Sequence, residues 1–233
     1  MSTLRVMTYN VLHFENVRTG EIDYDAFADV IRSCGAEIVG LNEVFGGCAS
    51  RGEQTRELAN RLGWHWTFSE AFLDDGTEPF GDAVVSRFPI DRAETIPIPY
   101  PEVRNGTEYY EPRAVLRAQI AGHSVLVTHF GLNPDEQENA LQTVLPLLGS
   151  RRCILMGDFN VTPDAPVLSP IRARMRDVDA FLPAGTKSFP SDEPRIKIDY
   201  IFTSPDYTVT AADVPAVVVS DHRPYIAELT GDF

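Results

Sequence analysis

Lysine is almost missing from this 233-residue chain: only Lys187 and Lys197 occur, and the other members of its Lys+Arg total of 20 are arginines. With a formal net charge of −14, the balance opposes a protein that coats nucleic acid, because nonspecific binding draws on many Lys/Arg contacts to phosphate. A local arginine site stays compatible, although the run Arg172, Arg174, Arg176 reads as a solvated face. Cysteine is scarce as well. Cys34, Cys48 and Cys153 are odd in number, widely spaced and outside any Cys-x-x-Cys or Cys/His cluster, so neither a disulfide framework nor a structural zinc site is expected. No apolar run is long enough to span a bilayer. Met1 to Asn10 passes into strand-like alternation without the basic start and apolar stretch of a secretory signal. A soluble cytoplasmic protein is expected. No linker, repeat or low-complexity stretch interrupts the chain, which predicts a single domain over 1–233. At 43% apolar content, one core can remove roughly 70–75% of the unfolded surface from water.

What is present is a series of short, β-branched apolar runs that end in particular polar residues. Val6-Met7-Thr8-Tyr9-Asn10, Ile38-Val39-Gly40-Leu41-Asn42-Glu43 and Val125-Leu126-Val127-Thr128-His129 are followed by Ile154-Leu155-Met156-Gly157-Asp158-Phe159-Asn160, Ile196-Lys197-Ile198-Asp199-Tyr200 and Val217-Val218-Val219-Ser220-Asp221-His222. These read as strands buried on at least one face. Between them, Asp25 to Cys34 and Glu53 to Leu62 carry helical spacing. Asn133-Pro134-Asp135-Glu136 predicts the start of a helix running towards Gly149, which Pro146 should kink or end early. The alternation predicts a mixed α/β domain. Ile96 to Pro112, with four prolines and Tyr100, Tyr109 and Tyr110, is a long loop of the kind that often serves function.

Strand ends on one side of a sheet can converge on one cleft. Here they would deliver Asn10, Glu43, His129, Asp158, Asn160, Asp199, Asp221 and His222. Taken singly, Asn10 or Asp158 would simply start a turn, Asp221 would cap a helix, and His129 would be a structural histidine. Together, their carboxylate and amide oxygens are hard donors suited to Mg²⁺ or Mn²⁺. His65 reads as strand surface and His123 as part of a hairpin turn, while His13 is placed equally well in the cleft or in the core.

In this order, the motifs resemble the endonuclease/exonuclease/phosphatase (DNase I-like) superfamily along nearly the whole chain. Thr8-Tyr9-Asn10 is similar to its opening motif and Leu41-Asn42-Glu43 to its metal-glutamate motif. Gly81 to Arg87, Pro112-Arg113-Ala114 and Thr128-His129-Phe130 follow. Gly157-Asp158-Phe159-Asn160, Ile198-Asp199-Tyr200-Ile201 and Ser220-Asp221-His222-Arg223-Pro224 complete the series. The resemblance implies a four-layer sandwich: two packed, mixed, mainly antiparallel β-sheets flanked by helices, with the active site at one edge. It implies that Glu43, helped by Asn10, holds the metal, and that Asp158, Asn160 and Asp221 complete a site shared by metal, water and phosphate. His222 would be oriented by Asp199, while His129, Asn160 and Arg113 would face the phosphoryl oxygens. Two departures stand out: Asn42 where many members have glutamine, and Asp82 where asparagine is common. Asp82 is expected to add negative charge beside the phosphate.

Phosphate esters repel anionic nucleophiles, so the site must neutralise oxygens and hold a water in line with the leaving group. The metal and Arg113 would neutralise. An Asp199–His222 pair would take the water's proton. The expectation is a metal-dependent hydrolase of a phosphate mono- or diester on a small molecule or lipid headgroup, with a nuclease second. A noncatalytic binding module should have lost some of Glu43, Asp158, Asp199 or His222, and none is missing. Specificity is expected in loops 71–80, 96–112 and 181–195, and the tyrosines of the middle loop would stack on substrate or pack the loop onto the domain. The oligomeric state stays open, a monomer being compatible.

Overall fold

The computed structural model describes residues 2–47 and 52–232; Cys48 lies outside them. Two six-stranded sheets pack face to face. The first has the order β13-β14-β1-β4-β6-β5, built from β1 (Ser2–Asn10), β4 (Ile38–Phe45), β5 (His65–Asp74), β6 (Glu78–Ser86), β13 (Thr208–Asp213) and β14 (Tyr225–Gly231). The second has the order β11-β12-β10-β9-β8-β7, from β7 (Ile90–Pro97), β8 (Ala114–Ile120), β9 (His123–His129), β10 (Cys153–Asp158), β11 (Arg176–Asp177) and β12 (Asp199–Thr203). A two-residue pair, β2 (Glu15–Asn16) and β3 (Glu21–Ile22), stands apart.

Each sheet holds one parallel pair, β1 with β4 and β9 with β10, among antiparallel neighbours. A parallel pair needs a crossover. Helix α1 (Tyr24–Cys34) supplies the first and α3 (Pro134–Val144) the second, while α2 (Gln54–Leu62) follows β4. The short α4 (Ser169–Arg172) comes after β10. Helix starts follow local chemistry: Asp23 caps α1 by accepting from Ala26 N, and Glu136 returns to Asn133 N at the start of α3. Helix α3 ends at Val144 and tightens into a 3₁₀ turn over Leu145–Leu147, where Pro146 removes a donor.

The continuous apolar runs follow from burial on both faces. Leu4 and Val6 of β1, Ile38 of β4, Val125 and Val127 of β9, and Ile154 and Met156 of β10 fill the layer between the sheets. Their neighbours Met7, Tyr9, Val39 and Leu41 pack outward on α1 and α2. Leu126 and Leu155 pack outward with Ala140, Leu141 and Val144 of α3. The sheets approach closely at Gly40, where a Cβ would lie 2.8 Å from Met156 Sδ and Val127 Cγ2. At Gly157, with φ +150°, a Cβ would lie 1.8 Å from Thr128 O, so β9 and β10 meet only with glycine there.

Several expectations shift. Val217 to Val219 form no strand: the segment is irregular and half-buried, with Val217 and Val219 packed on the outer core of the first sheet. Asp199 begins β12, and Ile196 makes only an isolated bridge to Phe189. Arg172, Arg174 and Arg176 are not an idle face: they bind Asp177, Leu145 O and Tyr207 O. Among the described residues no helix is long and apolar enough to cross a membrane.

Candidate active site

Both parallel pairs end at the same place. Register sets Asn10 of β1 beside Asn42 of β4, and sets Asp158 of β10 between His129 of β9 and Asp199 of β12. Strand pairing alone therefore lines up His129, Asp158 and Asp199 at one sheet end. Amides join the two sheets there. Asn42 is fully buried; its Nδ2 donates to Asp82 Oδ1 (2.7 Å) and Thr128 O (3.1 Å), and its Oδ1 accepts from Asp158 N (3.0 Å). Asn10 Nδ2 donates to Glu43 Oε1 (2.8 Å) and Asp158 Oδ2 (3.2 Å).

Glu43 sits at φ +60°, where β4 slips register against β6 between Leu41 and Val44. The bulge turns its half-buried carboxylate towards Asn10. Asn160 also has positive φ, +51°, two residues after Asp158, whose Oδ1 accepts from Asn160 N. Left-handed non-glycine residues store local strand-end strain and concentrate at functional sites.

The irregular segment Ser220-Asp221-His222 closes the arrangement. Ser220 Oγ donates to Asn10 O (2.8 Å), and Ser220 N donates to Tyr9 Oη. His222 Nδ1 lies 3.0 and 3.2 Å from the two Asp199 oxygens, with Nε2 3.5 Å from Asp158 Oδ2. All three are at most 4% exposed. Burial opposes the imidazolium, but the charges of Asp199, Asp158 and Asp221 outweigh it and hold His222 up at about 10. Burial also raises Asp158 against the pull of His222.

His129 is the opposite case. Burial and then the Arg113 and His222 charges push its pKa well below the usual histidine value. Arg113 can only donate, and its guanidinium lies 2.9 Å from His129 Nδ1, so that nitrogen accepts and the neutral ring carries its proton on Nε2. There its acceptor is Asp158 Oδ2 (3.5 Å), while the nearby Asn160 Nδ2 (3.0 Å) is itself a donor and donates to Phe130 O (2.9 Å). Arg113 is also paired with Glu111 at 2.8 Å. Its loop is fixed by α3: Asn105 N, Glu108 N and Glu111 N donate to Asp135, Asn133 and Glu136. Tyr100 and Tyr110 pack around Arg104 in that loop, while Tyr109 is exposed.

Asn10, Glu43, Arg113, His129, Asp158, Asn160, Asp199, Asp221 and His222 thus fall into one connected network. Asp82 lies buried behind Asn42, where burial pushes its carboxyl up to about 7, against the Asn42 hydrogen bond and the Arg113 charge. His13 lines a neighbouring cavity with Glu43, Phe45, Phe72 and Phe80. His123 is buried, with Nδ1 against Tyr207 Oη, and His65 is exposed. Two residues at this sheet end carry no site role in the sequence reading: Asn42, which stands where glutamine is common, and Lys197, whose signal is a lone lysine inside Ile196-Lys197-Ile198.

The donor set suits a hard divalent ion. Burial raises the Asp221 carboxyl against the His222 charge, and the Glu43 charge raises it further, a repulsion that a bound cation would relieve. Oxygen atoms of Asp158 and Asp199 and a nitrogen of His222 also lie within 4.8 Å of one another. There, however, His222 Nδ1 already faces Asp199, as in an acid–imidazole pair.

A buried acid–imidazole pair beside converging carboxylates lies at the end of a two-sheet sandwich. The chain belongs to the Endonuclease/Exonuclease/phosphatase family, whose model matches residues 7–222. Members are metal-dependent phosphoesterases or nucleases, and the protein is a metal-dependent phosphoric ester hydrolase. Its fold is similar to that of an endonuclease/exonuclease/phosphatase from Beutenbergia cavernae DSM 12333 (24% identity, 98% of this chain and 72% of that one, TM-score 0.76). It is also similar to a mannosyl-6-phosphatase from Bacteroides thetaiotaomicron VPI-5482 (19%, 97% and 99%, TM-score 0.76). TDP2 from D. rerio, solved with a single-strand DNA product, has the same fold (16%, 99% and 100%, TM-score 0.70). No curated protein matches the chain in sequence.

Proposed function

We propose that this protein hydrolyses a phosphate mono- or diester on a small molecule or lipid headgroup, with Mg²⁺ or Mn²⁺ as cofactor. The observation that carries the substrate class is a cavity of about 320 Å³ opening on Glu43 and Arg113, with Phe45, Phe72 and Phe80 as its apolar wall and Asp74 and Glu111 among its other lining residues. That volume suits a single small leaving group, and its carboxylates disfavour a polyanionic one. The scattered cysteines support a reducing, cytoplasmic setting.

Glu43 and Asn10 hold the metal, with Asp158, Asn160 and Asp221 completing the site. When bound, the ion neutralises phosphoryl oxygens and lowers the cost of forming hydroxide. Arg113 and Asn160 donate to the remaining phosphoryl oxygens, and neutral His129 donates through Nε2. A divalent ion held by Asp221 would offset one of the carboxylate charges that keep His222 protonated, and Nε2 would then be the atom that takes the proton of the attacking water. Asp199 keeps Nδ1 protonated and stabilises the imidazolium that results.

The test is a panel of small phosphomonoesters and diesters assayed beside supercoiled plasmid, with Mg²⁺ or Mn²⁺ and with His222→Ala as the contamination control. Some small ester should exceed plasmid in kcat/KM at moderate salt. Plasmid cleavage that outpaced every ester, fell steeply with salt and vanished in His222→Ala would make a nuclease the better reading.

A further inference from the structure

Lys197 is one of two lysines in the sequence and is only 5% exposed. A buried ammonium is costly unless paired and hydrogen-bonded, and this one is enclosed on several sides. Its Nζ lies 2.8 Å from Asp179 Oδ1 and sits over the rings of Tyr200 and Tyr225, at 4.0 and 4.5 Å from their centroids. It also donates to the backbone carbonyl of Asp199. Tyr225 Oη donates to the same Asp179 oxygen at 3.0 Å, so the anion is held from two directions.

The scaffold around it leads to the reacting groups. Tyr200 Oη donates to Val161 O (2.9 Å) and stands 3.3 Å from Lys197 O, and Phe159 N donates to Ile198 O (2.8 Å). The segment that carries Asp158 and Asn160 is therefore tied to the segment that carries Lys197 and Asp199. At Asp199, β12 pairs with β10 alone, since β11 reaches only Phe202 and Thr203, and the Asp199 carbonyl accepts from the Lys197 ammonium.

We propose that the Lys197–Asp179 pair, clamped between Tyr200 and Tyr225, is a positioning device that fixes the Asp199 carboxylate against His222 Nδ1. It acts through the Asp199 carbonyl and touches no substrate. A leucine-like side chain would fill the same space; only a donor can hold that carbonyl, and only a cation can do so while neutralising Asp179. The role rests on Asp199 and His222 serving as the base pair of the reaction.

The test compares Asp179→Asn and the charge-free double variant Lys197→Met/Asp179→Asn with the parent enzyme, reading kcat and KM separately on a small phosphoester. Alongside, the low-field proton resonance of His222 Nδ1–H is followed by NMR and folding by thermal melting. The double variant should stay folded, since removing both charges leaves neither unpaired. Its kcat should fall roughly 10- to 100-fold, the scale for loss of a supporting shell, with KM within about 2-fold of the parent and the His222 signal shifted or broadened. Asp179→Asn should show the same pattern more weakly, and it alone decides the matter if the double variant does not fold. Unchanged kcat and an unchanged His222 signal, with only a lowered melting temperature, would overturn the proposal and leave the pair a packing feature. Unchanged kcat in Asp199→Asn itself would instead overturn the base-pair reading beneath it.

Discussion

Asp199→Asn changes charge at nearly constant shape, in a place where charge should matter most. Asp199 is 1% exposed and its oxygens stand 3.0 and 3.2 Å from His222 Nδ1. At such a separation a carboxylate stabilises an imidazolium by about 5 kcal/mol, for an effective dielectric constant near 20. Asp158 and Asp221 also face the ring, so some stabilisation survives, and about 3–5 kcal/mol of the proton-transfer step should be lost. At roughly 1.4 kcal/mol per tenfold, kcat should drop by about 10²–10⁴. The amide can also present N–H to the ring and impose the wrong tautomer, which acts in the same direction. The assay is steady-state kcat on a small phosphoester, with melting curves to establish folding and a cycle with His222→Ala. Because the two residues act as one unit, the double variant should be little worse than His222→Ala alone. Independent, multiplicative losses, or an Asp199→Asn enzyme retaining most of its kcat, would refute the pairing.

Chelation should abolish activity, with recovery on Mg²⁺ or Mn²⁺, and Glu43→Gln should weaken that recovery in a metal titration of kcat/KM; full activity in strong chelator would exclude the metal role. Stability should also depend on His123, whose pKa is lowered by burial and by the Arg152 charge. The unfolded chain then binds more protons between the lowered folded pKa and about 6.5, so this contribution is complete above about pH 6.5 and is lost as pH falls through that window. Urea denaturation at stepped pH should show a shallower acid decline in His123→Gln; His129, lowered in the same sense, keeps part of the slope, and an identical decline in both proteins would contradict the assignment.

Much of the fold was written in periodicity. The strands β1, β4, β9 and β10 were legible because both faces are buried, which demands unbroken β-branched runs. The start of α3 was legible from Asn133-Pro134-Asp135-Glu136 because caps are local chemistry. Val217 to Val219 misled for the complementary reason: apolar residues also cover a core from irregular chain, and nothing in the run reveals whether a strand edge is open to pair with it. The tyrosines of the loop expected over 96–112 had two readings; β7 runs on to Pro97, and Tyr100 and Tyr110 pack the loop around Arg104.

The sequence by itself determined the kinds of groups available: hard oxygen donors, two histidines and an arginine at the ends of apolar runs. That follows from residue chemistry and needs no coordinates. Only the tertiary structure decided their electrical state. Asp82 and His222 are ordinary titratable residues in sequence, yet Asp82 is pushed up to about 7 behind Asn42 and His222 is held up at about 10 among three carboxylates. Lys197, a surface residue by type, is buried beneath Asp199. Charge depends on desolvation and on neighbours remote in the chain, such as Asp199 beside Asp158 across a strand pair, and those are fixed when the two sheets close on each other.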